Sequence, residues 1–170
     1  MHNGSNGSNS EINGETGKTA GGNTSRPSRP LSHEVALLLL DSFSKQGVMT
    51  AWGAQLTEMA PGSCEISVPM GPAVTQQHGY FHGGVIGTIA DSAGGYAANT
   101  LLMPASECLT AEYKINIVAP GIGDRLVARG KVLKAGKNLV VASTEVFAVN
   151  QGEEKLCAIM QQTLFVIPKA

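Results

Sequence analysis

The sequence predicts an α+β fold in which an antiparallel sheet wraps around one long central helix. Three observations predict it. A helical stretch of about four turns, residues 85–101, separates two groups of strand-like segments. Those segments are joined by short turns such as Ala135-Gly136-Lys137-Asn138 and Asn150-Gln151-Gly152-Glu153, which suit antiparallel hairpins. The order is one helix, two strands, the long helix and four strands, with no internal repeat.

Taken in order, residues 1–30 are rich in Gly, Asn, Ser and Thr and almost free of large apolar side chains. Such a segment buries too little surface to offset its ordering entropy, so a disordered tail is expected. It has no apolar run of the signal-peptide kind and it carries Glu11 and Glu15, so neither a secretory signal nor a transit peptide is expected. Asn3, Asn6 and Asn23 begin glycosylation-acceptor triplets, read here as accidents of composition. One domain is expected over residues 31–168. Ser32 caps a helix carrying Val35, Leu38, Leu39 and Phe43 at helical spacing, and Gly47 is expected to stop it. Residues 49–59 read as a strand, followed by the turn Ala60-Pro61-Gly62. Residues 63–70 alternate, with Cys64, Ile66 and Val68 on one face. Residues 71–81 form a loop into the long helix. Beyond it, Tyr113, Ile115 and Ile117 alternate with Glu112, Lys114 and Asn116, and strands are expected at 125–134, 139–149 and 155–167.

The formal net charge is −1, so no basic surface suggests nucleic acid or acidic membranes as partners. No apolar run reaches ~18 residues, so no membrane-spanning helix is expected, and a cytoplasmic location follows. Charged residues make up 15%, which fits a chain that buries surface in a subunit interface as well as a core. Cys64, Cys108 and Cys157 are odd in number and lack ligand spacing; they read as buried thiols, and nothing nearby favours a Cys-His nucleophile pair. His78 and His82 straddle a Gly-Tyr-Phe loop without a partner carboxylate, so neither a metal nor another cofactor is expected.

The chemistry centres on the run from Gln76 to Asp91. Gly83-Gly84 marks the start of the long helix, whose first N–H groups lack internal partners and carry partial positive charge. Such an end suits an anion or a developing oxyanion. One face of the helix is apolar: Val85, Ile86, Ile89, Ala93, Tyr96, Ala97 and Thr100. The other collects Gly84, Gly87, Thr88, Asp91, Gly94, Gly95 and Ala98. Glycines are poor helix formers, so something should pack close to them, either backbone or a slim ligand. Asp91 is then either a working acid beside a ligand or an exposed acid at the rim of a tight helix contact. For His82, tying down the helix start is favoured over proton transfer, since no acid stands beside it in sequence.

His82-Gly83-Gly84 followed by Ala90-Asp91-Ser92-Ala93, with Ala119-Pro120-Gly121, Asp124 and the Gly136-Lys137 turn, resembles the pattern of hotdog-fold thioesterases, closest to the phenylacetic-acid-degradation (PaaI-like) branch. The resemblance covers residues 31–168. It implies a hotdog fold, hydrolysis of acyl-CoA thioesters, and a site at the interface of a homodimer, often paired into a homotetramer. It implies that Asp91 is general base or nucleophile and that the Gly83 N–H polarises the thioester carbonyl. Gln76 takes the place of an Asn or Gln near the acid, with Gln where many members of this branch have Asn. Thr110 matches a Ser or Thr that positions water, and His82 has a supporting role. The alternative on the same fold is a non-catalytic acyl-CoA sensor, but the tail offers no helix-turn-helix and little positive charge. A hotdog hydratase would need an Asp-His dyad spacing that is absent.

Overall fold

The computed structural model describes residues 30–168. The expected tail, residues 1–30, lies outside them apart from Pro30. Helix α1, His33–Ser44, opens at Ser32, whose hydroxyl accepts a hydrogen bond from Val35 N at 3.3 Å. Val35, Leu39 and Phe43 point inward. Phe43 meets Tyr96 edge to face with ring centroids 5.4 Å apart, which ties α1 to the long helix.

Two expectations fail just after this helix. Gly47 does not stop it, and residues 49–54 are not strand. The helix ends at Lys45, and a second helix, α2, spans Gly47–Ala51 around the fully buried Met49. The stop comes at Gly53, whose φ of +64° is the left-handed conformation that glycine reaches without a Cβ clash. Over a segment of five residues, periodicity cannot separate helix from strand.

The remaining elements follow the expected order. Strands β1, Gln55–Ala60, and β2, Ser63–Pro69, precede a short 3-10 turn at Pro72–Val74. Helix α3 spans Gly83–Leu102. Strands β3, Ser106–Ile117, β4, Arg125–Ala135, β5, Leu139–Asn150, and β6, Glu153–Pro168, complete the chain. All neighbours pair antiparallel in one sheet of order β1-β2-β4-β5-β6-β3. Its inner face closes on α3, where Ile66, Ile86, Ile89, Leu126 and Met160 are at most 1% exposed. Each such side chain contributes roughly 1.5–3 kcal/mol of burial. The sheet's two outer strands differ. β1 is six residues long and its register against β2 breaks between Leu56 and Glu58. β3 has twelve residues and pairs regularly from Glu112 to Ile117, with Tyr113 and Ile117 each 50% exposed.

The apolar stripe of α3 is buried along its whole length, as the spacing predicts. The small-residue face divides. Gly87, Gly94 and Ala98 are buried, whereas Gly84, Thr88, Asp91 and Gly95 stay open or half-open. Close packing occurs where β4 crosses the helix: a Cβ on Gly130 would lie 2.3 Å from the Ala93 carbonyl oxygen. Among the described residues no helix is long and apolar enough to cross a membrane.

Candidate active site

Asp91 sits half-buried in the third turn of α3. Thr110, on β3, donates from Oγ1 to Asp91 Oδ1 at 2.7 Å. The register shift that follows Thr110 leaves Ala111 unpaired and re-aims the strand at this point. Gln162, on β6, donates from Nε2 to the same Oδ1 and to the Asp91 backbone oxygen, both at 3.1 Å. Among the described residues no donor reaches Oδ2. A cavity of about 270 Å³ opens beside the carboxylate, lined by Ser42, Gln46, Tyr96, Asn99 and Cys108 among others. Its floor is polar. The Ser42 and Tyr96 hydroxyls share a hydrogen bond of 3.0 Å, and Gln46 Nε2 donates to Tyr96 Oη at 3.1 Å. Burial pushes the Tyr96 phenol above its ordinary value, with these two contacts opposing, so it stays a neutral hydroxyl.

The start of α3 forms a second cluster. His82 is the cap residue, and its Nδ1 accepts from Gly84 N at 2.9 Å. Its backbone oxygen accepts from Val85 N and Ile86 N at 2.9 and 3.2 Å. Of the first helical N–H groups, Gly83's alone has no acceptor among the described residues. A Cβ on Gly83 would lie 3.1 Å from Ile117 Cδ1, so the bare glycine lets the helix start rest against β3. Gln76 belongs to the preceding loop. Its backbone N–H donates to Tyr80 O at 2.9 Å, and its Oε1 accepts from His78 N. A cavity of about 460 Å³ is lined by Gln76, Tyr80, Phe81, Gly83, Ile117 and Pro120. Of the residues named from sequence, the chain thus brings Asp91 to Thr110, and Gln76 and His82 to Gly83, as two clusters.

A family model for the thioesterase superfamily matches residues 78–155. A solved thioesterase family protein from Silicibacter pomeroyi is 39% identical, with 79% of this chain and 99% of that chain covered and a TM-score of 0.77. This chain belongs to the thioesterase superfamily. The PaaI protein from the phenylacetic acid degradation operon of E. coli is 25% identical, covering 81% of this chain and 96% of that chain at a TM-score of 0.71. A Haemophilus influenzae thioesterase, 22% identical over 76% of this chain and 88% of that one, shares the fold at a TM-score of 0.69. The wrapped-helix layout is the hotdog fold, and the chain is a PaaI-like thioester hydrolase.

In this thioesterase the cysteines are poorly suited to nucleophilic attack. Burial, helped by neighbouring acids, pushes the Cys64 and Cys108 thiols up to about 12, and burial pushes Cys157 to about 11, so all three stay protonated at neutral pH. Gln162 is the site residue that sequence reasoning missed. A signal for it existed: Ala158, Met160, Gln162 and Leu164 share the buried phase of β6, and a glutamine in that phase needs a partner.

Proposed function

We propose that the protein hydrolyses acyl-CoA thioesters carrying an aryl, short or medium acyl group, at a site completed by two chains. The length of α3 supports the two-chain reading. Gly83 and Asp91 are eight residues apart, which is ~12 Å along the axis and ~80° around it. A carbonyl oxygen within ~3 Å of the Gly83 N–H is out of reach of the Asp91 carboxylate on the same chain. A second copy removes the difficulty. Let β3 pair antiparallel with its own copy about a point between Tyr113 and Lys114. Thr110 then lies opposite Ile117 of the partner subunit. Since Gly83 rests against Ile117 within each chain, the Asp91 cluster then faces Gly83 of the partner subunit, twice per dimer. A pair of such dimers gives the homotetramer that the resemblance implies.

In that arrangement the thioester oxygen points at the free Gly83 N–H. Asp91 attacks the carbonyl carbon to give a mixed anhydride that water then hydrolyses, or it takes a proton from a water that attacks the carbonyl directly. The C–S bond breaks and the coenzyme A thiolate leaves. Negative charge on the carbonyl oxygen is met by the N–H and the helix dipole, a contribution of roughly 3 kcal/mol in the transition state. His82 acts by occupying Gly84 N, which leaves Gly83 as the exposed donor. Gln76, fixed by its own loop, lines the approach to it. The cavity beside Asp91, about 270 Å³ on one chain, gives the acyl group a place beside the acid, and the partner subunit completes its walls.

The observation that carries this reading is an acid held by a hydroxyl at 2.7 Å at the mouth of that cavity. Its test is thiol release from a panel of acyl-CoAs by the wild type and by Asp91→Asn. The expected result is turnover of at least one acyl-CoA and a kcat at least ~10²-fold lower in the variant, the usual scale for losing a general base. Near-normal turnover by the variant overturns the role given to Asp91.

A further inference from the structure

We infer that Gln162 is a positioning residue for Asp91: its amide fixes Oδ1 and leaves Oδ2 as the atom that attacks or takes the proton. The inference rests on the reading of Asp91 as base or nucleophile. Gln162 is 1% exposed on the inner face of the sheet, where its strand neighbours in the same phase are Met160 and Leu164. A buried amide in an apolar row requires a reason. Its Nε2 donates to two oxygens of one residue, the side-chain Oδ1 and the backbone oxygen of Asp91. The reversed amide would set oxygen against both, so the orientation is chemically determined.

Three further details separate this from a simple tie between sheet and helix. First, among the described residues Gln162 Oε1 is buried with no hydrogen-bond partner. An unpaired buried carbonyl opposes stability, so the amide is not there for its own satisfaction. Second, the helix yields to it. A Cβ on Gly94 would lie 2.2 Å from Oε1 and 2.7 Å from Cδ, so a glycine inside α3 makes the room. Third, Thr110 donates to the same Oδ1 from the neighbouring strand. Two donors on one oxygen stop the carboxylate from turning and hold the other oxygen toward the cavity.

The experiment measures Gln162→Met, which keeps length and bulk but has no donor, beside Asp91→Asn, with kcat, KM and Tm for each. For Gln162→Met the expected kcat is roughly 10- to 100-fold lower, the scale of a misplaced reacting group. KM is expected to stay near the wild-type value, and Tm to equal or exceed it because the unpaired carbonyl is gone. Gln162→Leu, suited to the same apolar row, repeats the test if the first variant folds poorly. A wild-type kcat in either variant overturns the inference. So does a kcat loss accompanied by a Tm drop beyond about 5 °C, or failure of both variants to fold, since each marks a structural tie. If Asp91→Asn itself turns over normally, the reading of Asp91 falls first; if it is inactive while Gln162→Met is normal, the positioning role alone falls.

Discussion

If the Asp91 and Gly83 clusters act only across two chains, two inactive variants should repair each other. Asp91→Asn keeps an oxygen at the Oδ1 position, where Thr110 and Gln162 both donate, so its fold should hold. What it loses is the basic oxygen, and kcat should fall at least ~10²-fold. Gly83→Pro removes the free N–H and nothing else from the helix ladder, since Gly83 is the first residue of α3 and its N–H has no acceptor among the described residues. Proline suits a first helical position, and His82 already has the extended backbone, φ −66° and ψ 139°, that a residue before proline prefers. Its Cβ would meet the flexible tip of Ile117 at 3.1 Å, which must give slightly. The loss of one oxyanion donor should lower kcat by ~10²–10³-fold. Co-expressed in equal amounts, the two chains form about one half heterodimers by random pairing. Each heterodimer has one site with both groups intact and one with neither. The mixture should therefore recover about one quarter of wild-type turnover, against ~1% or less for either variant alone. Thiol release from a reactive acyl-CoA reads this directly. A mixture as inactive as its components refutes the shared site.

Further outcomes are expected. Gly130→Ala drives a Cβ to 2.3 Å from the Ala93 oxygen, backbone against backbone, and should cost up to ~3 kcal/mol of stability; an unchanged urea midpoint contradicts this. Light scattering at micromolar concentration should give the mass of at least two chains, and a monomeric mass removes the basis of the two-chain site. Burial raises the Cys64 and Cys108 thiols from 9.0 to about 12 and Cys157 to about 11. Unfolded thiols ionise first as pH rises, so their contribution is complete below about 9 and is lost toward 11–12. Tm should fall from pH 8.5 to 10.5 by ~2 °C or more, and less in a triple Cys→Ala variant; equal slopes in both proteins refute the attribution. Deleting residues 1–29 should change kcat/KM by less than ~10-fold, or about 1.4 kcal/mol, and a larger loss would mean that they reach the site or its interface.

The order of elements was legible because the long helix and the later strands are strongly periodic. Ala135-Gly136-Lys137-Asn138 and Asn150-Gln151-Gly152-Glu153 do connect antiparallel neighbours. The segment from Gly47 to Gly53 was not legible, because so short a segment suits either state and it ends at a left-handed glycine. At the site, the Gly83 and Asp91 positions were visible as a glycine pair and an acid on a small-residue face. The capping role favoured for His82 is the one the structure assigns. Resemblance pointed to Thr110 only as a residue that positions water; its contact with Asp91 was not legible, since nineteen residues separate them and no local pattern links them. Gln162 lies seventy-one residues from Asp91, and no local pattern links the two. Strand phase alone carried its signal.

The unequal outer strands of the sheet bear on how far assembly can proceed. A sheet with two good free edges is a template for endless addition. Here β1 is short and breaks register between Leu56 and Glu58, so an incoming strand finds few evenly spaced partners. β3 offers a straight run from Glu112 to Ile117. Joining two copies through β3 consumes the one welcoming border and leaves a poor one at each far side. Growth along the sheet then terminates at a closed pair instead of continuing into a fibre.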